Sequence, residues 1–295
     1  MKKAYALSIV LWLVAAMGAI TLFLSTFAKE RIAIATGIEN KLKATLQAEE
    51  MLDLIFFYGS TGQFYLNQIN NTQMKDLNLS DKLSIDGRKL SINHSKVELT
   101  DGGALYHLLF PYTQIIAKEL NNEYIIKDSI YDWMDDDIFM KLNGAEDDYY
   151  RQISDDGYEA RDKRAIQDVS ELYLIKGINK AKLHSIKDDF LYTWSMRSNL
   201  VTINPQRLQY ILNIPQVAME EIIMLKEENL IEFISTINSQ YSNSEDFHYL
   251  YGFIPSKSLR VTIKSTAGNA QAKIAATIEL HYKGKERYIY NYKAF

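Results

Sequence analysis

Eight carboxylates crowd into residues 128–150: Asp128, Asp132, Asp135, Asp136, Asp137, Glu146, Asp147 and Asp148. Lys141 alone opposes them, which leaves a net charge of −7 over 23 residues. Like charges at that density raise one another's pKa and destabilise a folded loop unless a cation neutralises them. Calcium takes six to eight oxygen ligands, mostly from carboxylates, so calcium is the chemistry this segment fits best. In the run Asp132-Trp133-Met134-Asp135-Asp136-Asp137 the carboxylates alternate as they do in calcium loops. The glycine and the closing glutamate of an EF-hand are missing, so the segment is not an EF-hand. A solvated acidic face is the plain alternative. Trp133, Ile138, Phe139, Met140, Tyr149 and Tyr150 interleave with the acids and favour a folded, anchored loop instead. A hydrolytic magnesium or manganese site is a weaker reading, because nothing nearby resembles a phosphate cradle.

Other reactive chemistry is sparse. There is no cysteine, which excludes disulfides, thiolate metal sites and cysteine nucleophiles. The five histidines, His94, His107, His184, His248 and His281, form no metal-spaced pair. Neither a Gly-x-Ser-x-Gly nor a Walker-type Gly-Lys-Ser/Thr motif occurs, so the chain reads as a non-enzyme. The net charge of −4 gives no general attraction for nucleic acid.

The acidic stretch needs elements to hold it. With 47% hydrophobic and 24% charged residues, the 295-residue chain has the composition of a folded protein. Lys2 and Lys3 precede 25 uncharged residues, Ala4 to Ala28. A helix of that length measures about 37 Å, enough to cross a bilayer core of about 30 Å. The run is longer than a signal-peptide core, and Ser25-Thr26-Phe27-Ala28 is a poor cleavage site, so an uncleaved span is expected. Ile34, Ile38, Leu42, Leu46, Leu52 and Ile55 then recur near helical spacing, which predicts that the helix continues with one face packed on a domain. Tyr58-Gly59-Ser60-Thr61-Gly62 should break it.

Beyond that break, Lys82–Ile85 and Lys89–Ile92 flank Asp86-Gly87 and predict a hairpin. Val97–Thr100, Leu259–Lys264, Lys273–Tyr282 and Tyr288–Tyr292 read as further strands, the last two joined by a Lys283-Gly284-Lys285 turn. About 145 residues with mostly helical periodicity separate the two β-rich parts. The expected fold is α+β: a long N-terminal transmembrane and amphipathic helix packed on a small antiparallel sheet, with a large, mostly helical insertion. The expected divisions are a short leader (1–4), a membrane span (5–28), its amphipathic continuation (29–58), a split αβ domain (59–104 and 252–295) and the insertion (105–251).

Asp132-Trp133-Met134-Asp135-Asp136-Asp137, followed by Gly144-Ala145-Glu146-Asp147-Asp148-Tyr149-Tyr150, resembles the signature of the general secretion pathway protein K family. These are the large minor pseudopilins of type II secretion. Val169-Ser170-Glu171-Leu172, Ile175-Lys176-Gly177-Ile178 and Asn204-Pro205 extend the resemblance over most of the chain. The resemblance implies a single-pass inner-membrane protein with a cytoplasmic N-terminus and a periplasmic bulk. It implies a place at the tip of the periplasmic pseudopilus, in complex with minor pseudopilins of the I and J type above the major pseudopilin. A role in starting fibre assembly on the inner-membrane platform, for export of folded proteins, goes with that place. It also implies an insertion stabilised by one or two calcium ions, with Asp132, Asp135, Asp137, Glu146, Asp147 and Asp148 as candidate ligands.

Two further points follow from the resemblance. Pilin-like precursors are cut by a prepilin peptidase after a glycine, whereas this chain has Ala4 before Tyr5. Cleavage between Ala4 and Tyr5 is expected, and Ile9 then stands where most pilin-like subunits carry a glutamate. Family members carry an apolar residue there, and a carboxylate at that place would be stranded in lipid. Leu172–Ile186 and Leu212–Ile222 look like helix–hairpin–helix units. Such units grip phosphates in DNA-binding proteins, but the acidic surroundings repel DNA and no nucleic-acid partner is expected. The other readings are a membrane-anchored metal-dependent hydrolase and a DNA-uptake or type IV pilus-like minor pilin.

Overall fold

The computed structural model describes residues 2–77, 80–107, 113–120, 122–153, 157–160, 166, 168–191, 197–242, 245–280 and 288–294. Helix α1 (Lys2–Thr61) is unbroken for 60 residues. Short strands β1 (Gln63–Tyr65), β2 (Gln68–Asn70) and β3 (Lys82–Ser84) follow and form one small antiparallel sheet. Then come β4 (Asp86–Ile92) and β5 (Ser95–Asp101). The insertion holds β6 (Tyr106–His107), α2 (Thr113–Glu119), α3 (Glu123–Met134), α4 (Asp147–Gln152), α5 (Lys180–Ile186), β7 (Phe190–Leu191), β8 (Ser198–Asn199), α6 (Pro205–Leu212), α7 (Gln216–Glu228), α8 (Leu230–Gln240), α9 (Glu245–Leu250) and β9 (Tyr251–Gly252). The chain returns with β10 (Ser258–Ala267), β11 (Ala270–Glu279) and β12 (Tyr288–Ala294). The main sheet has the order β12-β11-β10-β5-β4 and is antiparallel throughout. The insertion therefore leaves after β5 and returns beside it in β10, as the interrupted αβ architecture requires. The Lys283-Gly284-Lys285 turn lies outside the described residues.

Helix α1 divides by what surrounds it. Its apolar part contains an 18-residue window of mean hydropathy 2.2, and none of that window is buried. Farther along, Ala44, Ala48, Met51, Leu52, Ile55 and Tyr58 pack on the inner face of the sheet, with Val97, Leu99, Val261, Ile263, Ile274 and Ile278. A fully buried aliphatic side chain of this kind contributes about 1.5–3 kcal/mol.

Two sequence expectations change here. Ile34, Ile38, Leu42 and Leu46 are exposed, so of the six expected residues only Leu52 and Ile55 lie in the core. The packed face begins instead at Ala44 and Ala48, whose small side chains let the helix approach the sheet. The glycine cluster ends the helix as expected, at Thr61 just before Gly62, and Gly59 is where Leu280 packs against its backbone. Finally, Lys82–Ile85 and Lys89–Ile92 do not form a hairpin. β3 pairs with β2, and β4 pairs with β5. Gly87, at φ +83°, sits in an irregularity of β4 rather than in a two-residue turn. The Asp86 carboxylate accepts from Ser84 Oγ at 2.6 Å and Arg88 Nε at 2.8 Å and holds the bend between the two sheets.

The insertion has two cores. One surrounds Trp133, Tyr150, Leu172, Leu183 and Phe190, and the other surrounds Leu208, Met219, Ile222, Phe233 and Ile237 in α6, α7 and α8. Of the two expected hairpin units, the second is a true helix pair. Asn204 caps α6 with Pro205 at its first turn, and Asn213 takes the left-handed conformation that glycine would otherwise supply. In the first unit a 3₁₀ turn over Val169–Leu174 precedes α5, and Gly177 turns the chain at φ +82°.

Asp101, fully buried, fastens the insertion to the sheet. Its Oδ1 accepts from Ser256 N (2.8 Å), Ser256 Oγ (2.7 Å) and Gly103 N (3.1 Å). Its Oδ2 accepts from Asn199 Nδ2 (2.8 Å) and Thr202 Oγ1 (3.1 Å). One carboxylate thus joins the exit strand, the returning chain and the far end of the insertion. Arg207, also buried, lies over the Tyr106 ring at 3.4 Å and donates to the Ala104 carbonyl. Burial lowers its pKa to about 10 despite Asp189 and Glu119 nearby.

Candidate metal centre

The acidic loop is built around α3. Asp128 and Asp132 stand four residues apart on that helix and so share one face. Asp132 is fully buried, and its carboxylate accepts from Lys141 N at 3.1 Å. Asp128 Oδ2 accepts from Asn143 N at 3.1 Å and Asn143 Nδ2 at 3.0 Å. These two acids hold the backbone of residues 141–143 against the helix. Gly144 follows because nothing larger fits: a Cβ there would collide with Asp132 Oδ2. Asp132, Trp133 and Met134 belong to the helix rather than to a ligand loop, which corrects the continuous alternation read from the sequence.

The rest of the signature locks the other side. Tyr150 packs edge-on against Trp133 at 5.0 Å and stacks with Tyr158 at 5.4 Å. Lys176 donates to the Gly144 carbonyl at 2.7 Å, and its ammonium lies 5.1 Å from the Tyr149 ring centre. Lys141 lies over the Tyr131 ring at 3.8 Å. The Ile-Lys-Gly-Ile turn and the Gly-Ala-Glu-Asp-Asp-Tyr-Tyr string therefore form one structural unit.

On this frame the side chains of Asp135, Asp137 and Glu146 converge, each with a carboxylate oxygen within 4.8 Å of the others. Asp135 Oδ1 is buried and receives no hydrogen bond. Burial, with Asp137 and Asp132 adding repulsion, pushes the Asp135 carboxyl up to about 6. Asp137 Oδ1 accepts from Phe139 N at 2.7 Å, which turns the loop outward. Ile138 and Leu142, at 84% and 93% exposure, project from it with Phe139.

The remaining candidates lie elsewhere. Asp132 serves the loop backbone. Asp147 Oδ1 accepts from Ala160 N at 2.8 Å, while Oδ2 pairs with Arg151 at 3.1 Å. Asp148 is 95% exposed and stands 3.7 Å from Arg151. Of the six candidates the structure thus gathers three. A donor set of carboxylate oxygens around a buried oxygen without a hydrogen bond suits a hard divalent cation. Sequence reasoning missed Asp128 as a loop-holding residue. It also missed Asp101, whose only signal was the Asp-Gly-Gly turn.

Residues 114–188, the segment that contains this cluster, match the family described as type II secretion system (T2SS), protein K. The matched segment, 75 of the 295 residues, is similar to protein K. Among the described residues one helix, α1, is long and apolar enough to cross a membrane. Among solved structures, the chain is similar in fold to one from the GspK–GspI–GspJ complex of the enterotoxigenic Escherichia coli type 2 secretion system. The TM-score is 0.56 at 12% identity, over 90% of this chain and 99% of that one. No curated protein matches it by sequence.

Proposed function

We propose that calcium binds at Asp135, Asp137 and Glu146 and fixes the insertion of a pseudopilin that caps the tip of the periplasmic fibre. The convergence of these three carboxylates on a loop already held by Asp128 and Asp132 carries the reading. When bound, calcium supplies positive charge that offsets the crowded acids, and water or backbone oxygens complete its shell. Asp135 and Glu146 tie the end of α3 to the start of α4, so the ion clamps the signature loop between them. Its role is shape, with no reaction at the site.

The likeness to a chain solved with GspI and GspJ supports the same kind of assembly here, with I- and J-type partners packing beside α1. The major pseudopilin then lies below, and the inner-membrane platform builds the fibre. The N-terminus is cytoplasmic and the bulk periplasmic. Prepilin peptidase cuts between Ala4 and Tyr5, and Ile9 marks a subunit with no neighbouring amine above it to satisfy.

Co-expression of the full chain with I- and J-type pseudopilins tests the placement. A stable ternary complex that calcium chelation weakens supports it. A chain that stays monomeric beside both partners, with calcium present, refutes it. Mass measurement of the N-terminus tests the cut, and intact Met1 in the assembled protein would contradict it.

A further inference from the structure

The outer face of the main sheet differs in charge from the rest of the chain. Lys96 in β5, Lys264 in β10 and Lys273 in β11 stand directly opposite one another across three strands. All three are exposed. Like charges in such a row destabilise a sheet, and on a solvated face alternation with acids would cost nothing. Two more lysines extend the patch. Lys89 pairs with Glu98 in the register of β4 and β5, and Lys293 stands opposite Ala275 on the same face. Among the described residues of this half-face there are five lysines and one glutamate, in a chain whose net charge is −4. Lys89, Lys96, Lys264 and Lys273 line a groove of about 780 Å³ together with polar groups such as Ser91, Asn93, Thr262, Thr266 and Gln271.

The other half of this face is already used. Arg260 donates to the Phe190 carbonyl at 2.6 Å and approaches Asp189, which docks the insertion there. Among the described residues no element covers the basic half, which lies toward the membrane because the β10–β11 turn meets α1 at Asn40 and Lys41.

We propose that this basic half-face docks an extended acidic polypeptide segment of a partner protein. Charge complementarity selects the occupant. A lipid surface is too far away. Asn40 lies about 18 Å of helix beyond Ala28, and the lysine row stands about 13 Å of strand higher still. That separation is several times the screening length of about 8 Å at physiological salt. The groove is open rather than enclosed by apolar walls, and its polar Ser, Thr, Asn and Gln groups suit main-chain and carboxylate hydrogen bonds. The acidic calcium site is not involved, so docking is independent of calcium.

The test uses the full chain in a non-ionic detergent with a chelator present, and fluorescein-labelled poly-L-glutamate as the probe, read by anisotropy. The wild type is expected to bind at 50 mM NaCl. The triple variant Lys96→Glu/Lys264→Glu/Lys273→Glu should weaken that binding by at least about tenfold. The triple Lys→Gln variant serves if the first does not fold, with a smaller loss expected. A control, Lys43→Glu/Lys180→Glu, changes exposed lysines elsewhere and should leave binding unchanged. Any of four results overturns the proposal: no wild-type binding, an equal loss in the control, tighter binding to phosphatidylglycerol vesicles through the same three lysines, or low-salt self-association through this face.

Discussion

Gly144→Ala should unfold the signature loop without removing a single ligand of the proposed ion. The added Cβ would occupy the place of Asp132 Oδ2, and the buried carboxylate must move. Asp132 then loses its bond from Lys141 N, 3.1 Å long in the native structure. Hydrogen bonds to charged groups contribute about 1.5–3 kcal/mol, and an unpartnered buried charge adds to the penalty. The expected loss is about 3 kcal/mol, which lowers the melting temperature of a domain of this size by about 6–12 °C. Thermal unfolding followed through Trp133, which packs edge-on against Tyr150, reads the change near the lesion. Gly37→Ala is the control, since nothing lies near an added Cβ there and the helix should gain slightly. A Gly144→Ala protein that melts within about 1 °C of wild type would refute the account of how the loop is held.

Other outcomes follow from the same structure. Asp101→Asn should destabilise the chain by about 3–5 kcal/mol in denaturant unfolding, because an amide presents hydrogens to a site of five donors. Asp148→Asn should leave calcium affinity unchanged in a calorimetric titration, since that side chain is exposed and faces Arg151. The pH dependence has a definite sign. Asp135 has a folded pKa of about 6 against 3.8 for the free side chain, so between those values the folded state holds a proton that the unfolded state has released. Stability of the chelated protein therefore falls as pH rises through that window, and melting should be higher at pH 5 than at pH 7. Calcium at pH 7 should restore it, and calcium affinity should drop as pH falls below about 6.

Much of the architecture was legible because its signals are local. An uncharged run of 25 residues and alternation in β10 and β11 each act within one element. What escaped was long-range. Which face of α1 meets the sheet depends on Ala44 and Ala48, small residues that carry little hydrophobic signal. The supposed Asp86-Gly87 hairpin carried a strong turn dipeptide, yet β3 and β4 found better partners in β2 and β5. At the site, eight acids in one stretch pointed to a cation but not to its ligands. Helical spacing of Asp128 and Asp132 could have shown that they share a face. That they hold backbone amides, leaving Asp135, Asp137 and Glu146 to converge, depends on a loop path set by Gly144 and Tyr150.

The most direct test of the central claim is a calcium titration of the full chain in detergent, comparing wild type with Asp135→Asn/Asp137→Asn. Saturable binding that raises the melting temperature of the wild type and disappears in the double variant is the predicted result. Binding of equal affinity and stoichiometry in both proteins, or none in the wild type, would contradict a calcium clamp at this cluster.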